Sequence, residues 1–169
     1  REITIVSGDF ELPGTLSLPA GDGPFPVVVL VHGSGPSDRN EAIGPNRPFQ
    51  DLAWGLASNG IAVLRYDKRT LVYGVDSAPA GEELTVQGET IDDAVAALEL
   101  AATFDEIDPA RVFVLGHSLG AQMAPFIADA ADPAGVIMLA AAGRNLLDLL
   151  LIQQETLANQ DGEINAAER

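Results

Sequence analysis

Ser118 stands in Gly116-His117-Ser118-Leu119-Gly120, between an apolar run and a stretch of helical spacing, and that setting suits a nucleophile. A sharp turn from strand to helix forces the serine into a strained backbone conformation and lifts its hydroxyl clear of the strands. Glycines two residues to either side let neighbouring backbones approach without a Cβ clash. A hydroxyl that attacks a carbonyl builds negative charge on the carbonyl oxygen, so backbone N–H groups aimed at that oxygen are the second requirement. The amide of Leu119 is placed to be one. His32-Gly33-Ser34-Gly35-Pro36, after the apolar run Val27–Val31, offers the other from Ser34 or from Gly35. Each donor of this kind is worth about 3–4 kcal/mol in the transition state.

The other residues of the two segments read as supports. Gly116, Gly120 and Gly33 leave room for the turn and the loop. His117 is a packing and hydrogen-bonding residue, because side chains adjacent on such a turn diverge. His32 braces its own loop. Asp38 and Arg39 are near enough to orient that loop or to contact a polar group of a substrate, and the first use is preferred. Asp67, Lys68 and Arg69 sit just after an apolar strand, where ion pairing and loop bracing are the commoner uses of charge. The plainer alternatives are a glycine-rich turn with a capping serine at 118 and a tight turn serving geometry alone at 32–36.

These residues need a frame. Glu2–Val6 and Phe10–Leu18, joined by Ser7-Gly8-Asp9, predict a β-hairpin. Val27–Val31 is apolar throughout, as in a strand buried on both faces of a parallel sheet. Pro48–Asn59 has helical spacing, with Pro48 in the first turn and Asn59-Gly60 as the stop. Ile61–Arg65 is the next strand, and Tyr66–Gly88 reads as a long connection. Glu89–Phe104 repeats apolar residues at a helical period, with Asp92 and Asp93 near its positive end. Arg111–Leu115, Leu119–Ala130 and Gly135–Ala141 read as strand, helix and strand. The alternation predicts an α/β fold with a mostly parallel sheet and right-handed crossovers. Arg144–Gln160 is helical and apolar on more than one face, so it needs cover on several sides.

The chain has 169 residues, enough for one domain with a core. Its net charge of −16 repels phosphate backbones and anionic lipid, which counts against nucleic-acid and membrane-surface roles. No apolar run approaches the roughly 20 residues of a spanning helix, so a soluble protein is expected, cytoplasmic or secreted. Cysteine is absent, which removes disulfides, thiolate nucleophiles and thiolate metal ligands. The chain opens at Arg1 without an initiator Met, and something upstream is expected to have been removed or left out.

Three stretches carry a resemblance. They are His32-Gly33-Ser34-Gly35-Pro36-Ser37-Asp38-Arg39-Asn40, Leu64-Arg65-Tyr66-Asp67-Lys68-Arg69 and Gly116-His117-Ser118-Leu119-Gly120. In their order and spacing, which cover most of residues 1–142, the chain resembles the carboxylesterase branch of the α/β-hydrolase superfamily, relatives of dienelactone hydrolases and acyl-aminoacyl peptidases. The resemblance implies an α/β-hydrolase fold and hydrolysis of a small-molecule ester through an acyl-enzyme on Ser118. It implies oxyanion donors at Leu119 and the Ser34 region, and no metal or organic cofactor. One departure is Thr70, where such proteins often carry glycine after Arg-Tyr-Asp-Lys-Arg. It bears on the following loop and not on the nucleophile.

A serine nucleophile needs a histidine base and an acid, which in this fold follow the serine in the chain. No histidine follows Ser118; the chain has only His32 and His117. The expectation is therefore a C-terminal piece of the same protein beyond Arg169, where the resemblance implies two further strands bearing the acid and the histidine. The same resemblance implies that residues 1–142 are the N-terminal part of the core and 143–169 the start of an inserted helical cap. The 169 residues alone are expected to be inert, since loss of the base costs on the order of a millionfold in turnover. Two alternatives stay open: an acyl-peptidase with the same machinery, and a catalytically inactive hydrolase-fold protein that binds a partner.

Overall fold

The computed structural model describes residues 1–144 and 146–158. Strands β1 (Glu2–Ser7) and β2 (Phe10–Ser17) form the expected antiparallel hairpin. β2 then pairs antiparallel with β4 (Ala62–Tyr66). β3 (Phe25–Val31) lies between β4 and β5 (Ile107–His117) and is parallel to both. β6 (Gly135–Leu139) closes the order β1-β2-β4-β3-β5-β6, parallel to β5. The sheet is therefore antiparallel at its N-terminal edge and parallel elsewhere, as the sequence pattern predicts.

Side chains alternate across a strand, and β3 shows why an unbroken apolar run is needed. Val27, Val29 and Val31 pack on one face with Ala94, Ala97 and Leu98 of α3 (Asp93–Ala101) and Ile127 of α4 (Leu119–Ala131). Val28 and Leu30 pack on the other face with Phe49 and Ala53 of α1 (Pro48–Ala57). Helices on both faces make β3 a central, doubly covered strand. Its C-terminal end emerges beside that of β5, where open α/β sheets place ligands.

Three stretches differ from expectation. Tyr66–Gly88 is not plain connection, for it holds the short helix α2 (Arg69–Tyr73) and a 3₁₀ turn at Gly74–Asp76. The helix expected from Glu89 begins with a π-helical turn, Gln87–Asp92, and α3 stops at Ala101. β5 starts at Ile107 instead of Arg111, because Ile107 pairs with Phe25 before the register slips between Phe25 and Val27. Pro109 lies within the slipped segment, where a ladder hydrogen bond from it is impossible in any case.

β6 has one paired neighbour among the described residues, and Val136, Ile137, Met138 and Leu139 are each about 40% exposed. Helix α5 (Leu146–Ala158) likewise exposes Leu151 and Leu157. Asn159 and Gln160 of the expected helix, and residues 159–169 of the expected cap, lie outside the described residues.

Candidate active site

The turn after β5 is shaped by lack of space. A Cβ on Gly116 would lie 2.3 Å from the backbone carbon of Gly120, and one on Gly120 would lie 2.4 Å from the carbonyl oxygen of Val31. Both positions admit only glycine. Ser118 between them has φ 51° and ψ −109°, a conformation that side chains other than glycine rarely adopt. Strain of this kind costs of order 1–3 kcal/mol and persists only where the surroundings impose it. Here the Ser118 amide donates to the Leu139 carbonyl at 2.9 Å, and the Gly120 amide donates to the His32 carbonyl at 3.0 Å. The second bond ties the turn directly to the loop after β3.

Ser118 is half-buried at the first residue before α4, and the Leu119 amide is one of the orphan donors of that helix N-terminus. Across from it, a Cβ on Gly33 would stand 3.3 Å from the Ser118 Cβ. The two segments singled out in the sequence are therefore in contact. Among the described residues none accepts a hydrogen bond from the Ser34 amide. The Leu119 amide adjoins the serine in the chain, and the Ser34 amide follows Gly33 on the facing loop.

The loop after β3 is held by charge. Glu41, buried and at φ 50°, accepts the Gly33 amide at 2.7 Å and contacts His117 Nδ1 at 2.9 Å through the same Oε1. Lys68, 2% exposed, donates to the Gly33 carbonyl at 2.9 Å and pairs with Glu89 at 3.4 Å. Asp38 accepts the amides of Asn40 and Ala42, an Asx-type turn that shapes the approach to Glu41. Arg39 is engaged with Glu2 of β1, Thr15 of β2 and Asp67 just after β4. Asp38 and Arg39 thus orient the loop. Burial works to raise the Asp67 carboxyl, but the hydrogen bonds from Arg39 outweigh it and hold the group below its ordinary value.

Neither histidine is placed as a base for Ser118. His32 is 1% exposed, with ring centroids of Phe49 and Tyr66 5.4 and 5.1 Å away. Burial, reinforced by the Lys68 charge, pushes its pKa down to about 4, so it is neutral at pH 7. His117 turns to Glu41. Among the described residues no group of three or more His, Asp or Glu is placed to hold a metal ion.

Sequence reasoning brought Ser118, Leu119, Gly33 and Ser34 together and read Lys68 as a brace. It missed Glu41 and Glu89. Nothing in their local sequence marks them, since one depends on a left-handed backbone and the other on a π-turn.

The Alpha/beta hydrolase family model matches residues 28–165, and the chain belongs to that family. Esterase EstD of Thermotoga maritima is 50% identical over 139 residues, which is 82% of this chain and 32% of that protein. The chain spans about a third of the length of this curated relative. Among solved structures, a bacterial heroin esterase is 27% identical with TM-score 0.54, covering 83% of this chain and 41% of that one. Est1E of Butyrivibrio proteoclasticus, with ferulic acid bound, has TM-score 0.62 at 19% identity, over 82% of this chain and 52% of its own, a likeness of fold. Among the described residues no helix is long and apolar enough to cross a membrane.

Proposed function

We propose that this chain carries the nucleophile and the oxyanion donors of a carboxylesterase-type serine hydrolase. The observation that carries the reading is Ser118 itself, held at φ 51° between two glycines, with the Leu119 amide next to it and Gly33 facing it from the loop after β3. Strain without chemistry has little use, and the identity with EstD favours ester substrates.

In this reading Ser118 Oγ attacks the ester carbonyl carbon while its proton passes to a base. The Leu119 and Ser34 amides receive the charge on the oxygen. Collapse expels the alcohol, which takes the proton, and leaves an acyl-enzyme on Ser118. Water, deprotonated by the same base, then attacks the acyl carbon; the bond to Ser118 Oγ breaks, the oxygen takes the proton back from the base, and the acid leaves. The base and its orienting acid come from a segment of the protein outside these 169 residues, consistent with the positions of both histidines. Residues 143–169 begin a cap in the same reading, with the exposed leucines of α5 available to line an acyl pocket.

A fluorophosphonate probe on the full-length protein tests this. Label on the peptide containing Ser118, lost in Ser118→Ala, is the expected result; an esterolytic protein that leaves Ser118 unlabelled overturns the reading.

A further inference from the structure

We propose that Lys68, held by Glu89, and Glu41 grip Gly33 from both sides and so aim the Ser34 amide at the carbonyl oxygen of a substrate on Ser118. They are positioning residues of the oxyanion site. The inference rests on the esterase reading and adds to it the residues that set the second donor.

The geometry is that of a planar trans peptide, in which the Gly33 carbonyl and the Ser34 N–H point in opposite directions. Lys68 Nζ fixes the carbonyl at 2.9 Å, so the Ser34 amide faces away from Lys68. Glu41 fixes the preceding amide of Gly33 at 2.7 Å, which removes the remaining freedom of the residue to turn. Gly33 itself is pressed against Ser118, with 3.3 Å between its Cβ position and the Ser118 Cβ. An ammonium on the carbonyl also draws electron density through the peptide and makes the Ser34 N–H a stronger donor.

A buried ammonium is expensive, and an apolar residue would fill the space at lower cost. Glu89 makes the charge tolerable at 3.4 Å and is itself held by the Thr70 hydroxyl at 2.5 Å. It reaches Lys68 from the π-turn Gln87–Asp92, a departure from α-helix of the kind that gathers at functional sites. Burial works against the Lys68 ammonium, and Glu89 and Glu41 favour it.

Lys68→Met and Glu89→Gln in the full-length protein test the assignment on p-nitrophenyl acetate, with active sites counted by fluorophosphonate titration. Lys68→Met is expected to lower kcat about 10- to 100-fold with KM within about twofold, a share of the 100- to 1,000-fold that follows removal of a donor. Inhibition by a trifluoromethyl ketone, whose adduct carries the oxyanion, weakens by the same factor. Glu89→Gln lowers kcat by about 3- to 10-fold, and it decides the matter alone if Lys68→Met fails to fold. A merely structural role would lower the thermal midpoint and the titrated fraction and leave both factors unchanged. Titrated variants with wild-type kcat overturn the positioning role and leave the hydrolase intact. Activity that survives Ser118→Ala overturns the esterase reading instead.

Discussion

The two strand ends that meet at Ser118 are built by opposite means. After β5 the main chain carries the turn: residues 116 and 120 leave no room for a Cβ beside neighbouring backbone, and the amides of Ser118 and Gly120 bond to main-chain carbonyls. After β3 side chains share the task, and Glu41, Lys68 and Arg39 hold the loop with bonds reaching to β1, β2, the end of β4 and the π-turn. The first device is local and all-or-none. The second is distributed and graded, so its parts can be weakened one at a time.

That contrast sets the expected responses. On the proposed role of Ser118, Ser118→Ala should lower kcat of the full-length protein by about a millionfold. Its stability should stay within about 0.5 kcal/mol by urea unfolding, since alanine meets the same positive φ. Gly120→Ala should cost about 3 kcal/mol or more, because its Cβ meets backbone oxygens that have nowhere to go. Wild-type stability in that variant would mean that the turn is not space-limited.

On the loop side, His32 is neutral in the fold while the unfolded chain protonates it at its ordinary value of 6.5. Its contribution is therefore complete above about pH 6.5 and declines as pH falls toward the folded value of about 4, a loss of roughly 3 kcal/mol. His32→Gln should flatten that part of the stability profile; an unchanged slope between pH 6.5 and 4 would place the titration elsewhere. Arg39→Met should be the mildest change, costing about 1–2 kcal/mol in urea through the Asp67 bonds. The Asp67 carboxyl should then titrate higher by NMR. A loss as large as that of Gly120→Ala would erase the distinction between the two strand ends.

The same contrast explains what was legible in the sequence. The turn at Ser118 is written in consecutive residues, and an apolar strand before Gly116 with helical spacing after it is enough to place Ser118. The doubly covered β3 and the hairpin were legible for the same reason, because periodicity and turn residues are local signals. The Gly33 clamp was not. Glu41 needs a left-handed φ that its side chain does not advertise, and Glu89 meets Lys68 only because its turn is π and not α. Charge alone misleads as well. Lys68 and Arg69 are neighbours and both buried, yet Lys68 reaches the site loop while Arg69 pairs with Asp93 and Ser7 beneath the hairpin.

The π-turn carries one further consequence. A segment with one residue fewer there would run as uninterrupted α-helix, and everything before the deletion would swing by about 100° around the axis of α3. Helix α3 would keep its seat on the sheet, and the Glu89 carboxylate would be carried off Lys68. Chain length between Tyr73 and Asp93 is thus not free to drift as in an ordinary surface loop, and a swap of this segment between enzymes must keep count of residues as well as their identity.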